Sequence, residues 1–196
     1  MLMNAIGDFL PMAVAVALSP IPIIAVTVIL GTPRARTNGP AFALGWVVGL
    51  AAVIAIVLVV AGGADNPDSA TSTSINWIEL GLGLLFLAMA AKQWKQRPKR
   101  GEESTMPKWM ASVDNFTPAK SVAFGLALTA LNPKNLTLTL AAAASIAEAG
   151  LSADESAVAA AVFVVIGSLT VAGAVLFFVV AADKALGRAI MVNEVG

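Results

Sequence analysis

Cysteine and histidine are both missing from the 196 residues, and charged side chains account for only 12%. Without cysteine there is no thiol redox chemistry and no thiolate metal site; without histidine the commonest zinc and copper ligand is gone. Metal catalysis is therefore not expected, and neither is a cofactor. Twelve Lys and Arg balance twelve Asp and Glu, with no basic stripe outside the loops, so nucleic acid is not an expected partner. There is no Ser-His-Asp set, no paired-carboxylate pattern and no phosphate-binding loop, so enzyme activity is not expected either. No Lys or Arg precedes Arg34. Although Ala13-Val14-Ala15 resembles a signal-cleavage site, the basic region of a signal peptide is lacking, and the first apolar stretch reads as a retained helix.

What the chain has in abundance is apolar sequence. Hydrophobic residues make up 58% and mean hydropathy is +0.85, with charges clustered between long uncharged runs, which is the pattern of an all-α polytopic membrane protein. Five spans are expected, at about 4–30, 40–61, 75–94, 116–147 and 157–182. Ala41, Gly45 and Gly49 form a small-residue seam in the second, suited to close helix packing. Trp77 and Trp94 bound the third as interfacial aromatics. Nearly all Lys and Arg fall in segments 31–39, 95–115 and 183–196, and none in 62–74 or 148–156. The positive-inside rule then predicts a plasma-membrane protein with its N-terminus outside and a cytoplasmic, solvated basic loop at 95–115 that meets anionic membrane lipid.

Two spans are too long. The 32 residues 116–147 would make a helix of roughly 48 Å against a hydrocarbon core of roughly 30 Å. Pro133 interrupts this run within Leu131-Asn132-Pro133-Lys134-Asn135-Leu136, where it removes an N–H and clashes with the preceding turn. Ser19-Pro20-Ile21-Pro22 interrupts the first span in the same way. A shift of 113 residues lays Ala17-Leu18-Ser19-Pro20 on Ala130-Leu131-Asn132-Pro133. The units so related have opposite orientation, as in an inverted repeat of three-helix units whose broken helices share a midplane site. The expected organisation is a first repeat at 1–94, the loop at 95–115 and a second repeat at 116–196. The same shift starts a sixth helix near Arg188, so the sixth span is expected to be missing.

Lys134 is the one cation expected deep in a span, which makes it a candidate contact for an anionic head group; snorkelling or pairing with a freed carbonyl would make it structural instead. Asn132, Asn135 and Thr139 form a polar stripe if the helix persists, suited equally to a ligand or to interhelical hydrogen bonds. Ser19 joins this candidate substrate site, with Pro20, Pro22 and Pro133 as the helix-breaking residues. Glu79, near the outer end of the third span, is the only intramembrane acid considered, so no proton-coupling group is assigned.

Ser19-Pro20-Ile21-Pro22, Thr32-Pro33-Arg34-Ala35-Arg36, Pro107-Lys108-Trp109-Met110 with Asp114, Phe116-Thr117-Pro118 and Leu131-Asn132-Pro133-Lys134-Asn135-Leu136 occur in consistent order along the chain. In these the sequence resembles the GAP or sulfolipid-addressing family, a branch of the LysE exporter superfamily found mainly in mycobacteria and related actinobacteria. The resemblance implies a membrane transporter or transport subunit moving a glycolipid or peptidoglycolipid toward the cell surface. Its partners would be an anionic lipid or glycolipid, membrane lipids, and a second copy or an envelope-synthesis protein. The alternatives are a non-transporting scaffold for lipid-synthesis or export enzymes, and an exporter of small solutes such as amino acids.

Overall fold

The computed structural model describes residues 1–64 and 109–194, together with Gly81, Leu84, Leu87, Ala88, Ala91 and Lys95; side chains are described at 1–60, at those six positions and, save position 111, at 109–182. Six α-helices are delimited among the described residues. Helix α1 (Leu2–Ala17) and α2 (Pro20–Leu30) meet at a 45° bend. Helix α3 runs Ala35–Ala64, a 3-10 helix covers Met110–Asn115, and α4 (Pro118–Ala130) and α5 (Pro133–Glu148) follow, separated by Leu131 and Asn132. Helix α6 is Ala153–Glu194. No strand occurs among the described residues.

Proline sets three of the helix starts, with Pro20, Pro118 and Pro133 each in the first turn, where the missing N–H costs nothing. Thr117 caps α4 by accepting from the Lys120 N–H at 3.3 Å, as its side-chain chemistry dictates. Ser152 and Glu155 form a reciprocal capping box at the start of α6: Ser152 N–H donates to Glu155 Oε2 at 3.1 Å and Glu155 N–H to Ser152 Oγ at 3.3 Å. Gly150, at φ +62°, supplies the left-handed residue that ends α5.

Helices α3 (Ala35–Val60) and α6 (Ala153–Ala182) are long and apolar enough to cross a membrane, and α1 with α2 makes a third such span if the bent pair is counted as one. Large apolar side chains stay exposed along them, Leu44 and Val48 on α3 and Leu176 and Phe177 on α6 among them. Water would not tolerate that surface, and lipid requires it. The chain is thus an all-α membrane protein. The expected third span, 75–94, lies outside the described residues apart from its few helical positions, as do Trp77 and Trp94.

Two element boundaries differ from expectation. Helix α3 begins at Ala35, five residues before Pro40, and carries that proline within it. Helix α6 does not stop at residue 182 but continues through the polar segment to Glu194.

Helix α3 is the hub, packing most extensively on α4 and also on α2, α5 and α6, while α1 lies against α5 and α6. Gly45 and Gly49 face α4, as the small-residue seam predicts. A Cβ on Gly45 would fall 2.1 Å from the Val122 carbonyl oxygen, and one on Gly125 only 2.4 Å from that of Phe42. The two backbones therefore touch, at a spacing no side chain can enter. Elsewhere Phe9 of α1 packs edge-on against Phe163 of α6 at 5.8 Å, with both rings fully buried.

Gly45→Ala and Gly125→Ala should each destabilise the bundle by about 3 kcal/mol, the upper range for overpacking. Gly173→Ala, where nothing lies within 4 Å, should be neutral or slightly stabilising. Thermal unfolding in detergent compares the three.

Candidate functional site

The two breaks are built alike. At each, one residue turns extended and a proline follows: Ser19 at φ −73°, ψ 120° before Pro20, and Asn132 at φ −79°, ψ 110° before Pro133. The backbone groups this frees find partners. At the first break Ser19 N–H reaches Val16 O at 3.1 Å, and the hydroxyl of Thr170 on α6 donates to Ala17 O. At the second, Leu131 N–H bonds Ala127 O at 2.7 Å and Asn135 Nδ2 donates to Leu128 O at 3.4 Å. The breaks are stabilised structure rather than open ends.

Each residue of the expected site can be placed. Asn132, half-buried, caps α5, its Oδ1 accepting from Lys134 N–H at 3.2 Å. Lys134 is exposed, and its ammonium makes no hydrogen bond or ion pair among the described residues. Asn135 and Thr139 are buried together one turn apart, and Thr139 Oγ1 donates to the Asn135 carbonyl at 2.8 Å. The Asn135 Oδ1 has no donor although the residue is fully buried. Ser19 and Pro22 are buried, Pro20 is exposed and Pro133 is half-buried.

Packing between the two breaks runs through α3 and α6. Val16 and Leu50 both lie against Gly167, Trp46 Nε1 donates to the Gly167 carbonyl at 3.3 Å, and Gly49 presses on Thr129 just before the second break. Trp46 and Leu50 are fully buried.

A cleft of about 830 Å³ separates the C-terminal half of α3 (Ile54, Leu58, Val59) from the first turns of α6 (Ala157, Ala161, Val164), closed at one end by Ala147 and Leu151; Ser156 is its one polar lining residue. That volume suits a small-molecule or lipid-chain site. Thirteen residues separate Lys134 from Ala147 on α5, which puts them about 20 Å and about 220° apart around the helix. Lys134 and the cleft are two places, not one. No sequence signal marks the cleft, whose walls come from three separate segments of unremarkable Ala, Val, Leu and Ile.

Sequence reasoning also passed over Asp8. This carboxylate is exposed on α1, beside Phe9, in a helix with no other charged side chain. Its signal was visible as the one acid in the first apolar run.

At the opposite end from the cleft, the final part of the expected solvated loop is packed. Val113 is buried, and Trp109, Phe116 and Phe42 surround Phe124 at centroid distances of 5.1, 5.5 and 5.8 Å. Asn38 Nδ2 donates to Phe116 O at 2.9 Å, with Arg34 reaching the same carbonyl at 3.5 Å. The apolar residues Trp109, Val113 and Phe116 overcome the charge density around them by burying against α4. Residues 96–108 lie outside the described ones.

An apolar helical bundle with two breaks, each followed by a proline that starts the next helix, defines an integral membrane protein. The family model described as Sap, sulfolipid-1-addressing protein, matches residues 9–194, and the chain belongs to that family. No curated protein and no solved structure matches it.

Asn132→Ala should lower stability by about 1 kcal/mol through loss of the cap. Lys134→Met should change it by less than about 0.5 kcal/mol, since an exposed ammonium without partners holds nothing. Apparent melting temperatures of the two purified variants make the comparison.

Proposed function

We propose that this protein is a transporter or transport subunit that moves a glycolipid toward the cell surface, holding an acyl chain of its cargo in the cleft between α3 and α6. The cleft carries the reading. It lies between the two helices apolar and long enough to cross a bilayer, so an acyl chain can enter it without leaving an apolar medium. The family description, which names the addressing of sulfolipid-1, supports a lipid cargo over an amino acid. A small polar solute would find only Ser156 to bond in the cleft. Enzyme activity has no support in the residues that line it.

The matched geometry of the breaks at Ser19-Pro20 and Asn132-Pro133 supports an inverted repeat of the LysE exporter type. The charge pattern supports an external N-terminus, a cytoplasmic 95–115 loop and a cleft at the outer side of the plasma membrane. Lys134 is an anion contact separate from the cleft, meeting an anionic head group at an earlier stage of transit.

Surface extracts of cells lacking the gene should be depleted of one glycolipid class. The wild-type gene should restore it and Ala161→Trp, which fills the cleft from an exposed position on its wall, should not. Lys134→Met should reduce export severalfold with normal protein levels. Unchanged surface lipid in the well-expressed Ala161→Trp strain would remove the cleft from the mechanism. Single cysteines at Ser112 and Glu148, both exposed, read orientation in this cysteine-free chain, and an impermeant reagent should label only position 148 in intact cells.

A further inference from the structure

Asp8 is a carboxylate that faces lipid. Phe9 meets Phe163 and Val16 meets Gly167, so α1 and α6 run parallel and Asp8 lies at about the level of Phe163. That level is roughly 12 Å past Glu155 along α6, well inside the apolar span that begins at Ala153. Ala5, Phe9, Ala13 and Val16 turn one face of α1 inward. Asn4, Gly7, Asp8, Pro11 and Leu18 are exposed on the opposite face, within about 100° of one another around the helix.

A carboxylate at that depth is costly unless a donor reaches it, and its side chain is too short to extend to the membrane surface as a lysine's does. Asp8 has no hydrogen bond or ion pair among the described residues. The half of the bundle that holds it comprises residues 1–17 of α1, 50–60 of α3, 141–148 of α5 and 153–167 of α6, and none of these is Lys or Arg. Asn4 is the one exposed side-chain donor among them. It stands one turn from Asp8 on the same face, so that face carries both a donor and the acceptor that needs one. Such a surface is complementary to itself.

We infer that this face of α1 is where a second copy of the chain docks, with Asn4 of each α1 donating to the Asp8 carboxylate of the other. Copies inserted in the same sense bring α1 against α1 in parallel, about a two-fold axis along the membrane normal. Nothing lies within 4 Å of where a Cβ on Gly7 would stand, so two backbones can approach closely there, as a side chain as short as Asp requires. Pro11 lies within α1 and has no N–H, so the Gly7 carbonyl loses its helical donor and offers the incoming amide a second acceptor. No residue of α1 lines the cleft, so the interface stands apart from the lipid reading.

The full chain, carrying donor or acceptor fluorophores on Ser112→Cys, an exposed position, is reconstituted in phosphatidylcholine vesicles over a range of lipid-to-protein ratios. Energy transfer then reports the dimer. Asp8→Leu and Asn4→Leu change exposed side chains and should each weaken it about fivefold or more. The exchange Asn4→Asp/Asp8→Asn, in which donor and acceptor trade places, should recover most of the loss. Gly7→Leu, which blocks the close approach, should weaken the dimer too. Among single cysteines, Pro11→Cys should oxidise to a linked dimer, and Phe177→Cys, exposed on α6, should not. A chain that stays monomeric at every ratio, leaving Asp8 to a lipid or to a different subunit, overturns the inference. Single variants that dimerise as well as the unsubstituted chain overturn it also, as does an exchange no better than either of them.

Discussion

The backbone contact between α3 and α4 governs the rest of the bundle. In lipid no hydrophobic drive brings helices together, so association depends on how closely two backbones approach and how many van der Waals contacts they share. With Gly45 over the Val122 carbonyl and Gly125 over that of Phe42, the approach is as close as covalent geometry permits. At that spacing glycine Cα–H groups lie near carbonyl oxygens and add weak hydrogen bonds of their own. The contact holds α4 upright against α3 as far as Thr129, so the break after it falls at a fixed height. It also leaves the other flank of α3 free to meet α6, where Trp46 closes on the Gly167 carbonyl.

Local chemistry was the legible part of this fold. Ser19-Pro20 and Asn132-Pro133 are legible because proline disfavours helical backbone in the residue before it, as are the Thr117 cap and the close approach at Gly45 and Gly49. What stayed hidden depends on tertiary neighbours. The apolar side chains of Trp109, Val113 and Phe116 find Phe124 only when α4 is in place, and a charge count over 95–115 cannot register that. The continuation of α6 beyond Ala182 is hidden because polar sequence ends a helix's stay in lipid without ending the helix.

The candidate site was legible to a lesser degree. Asn132, Asn135 and Thr139 share a spacing and Lys134 stands out as a cation within a span, but Asn132 is spent on capping α5, Asn135 and Thr139 are buried as a pair, and Lys134 is exposed. The buried pair retains one unusual feature: an amide oxygen of Asn135 without a donor, a group whose desolvation ordinarily costs about 1–3 kcal/mol. The cleft could not be read at all, since apolar residues lining a cavity and apolar residues facing lipid have the same composition.

Helix α6 begins at the cleft, passes Gly167 and runs unbroken to Glu194. Mechanically it is a lever. Its fulcrum is the crossing at Gly167, where Val16, Leu50 and Trp46 grip it from two helices. The short arm, from Gly167 back to Ala159 amid the cleft wall, is about 12 Å, and the long arm to Glu194 is about 40 Å. A displacement of 1 Å at the end of the short arm therefore corresponds to roughly 3 Å at the far tip.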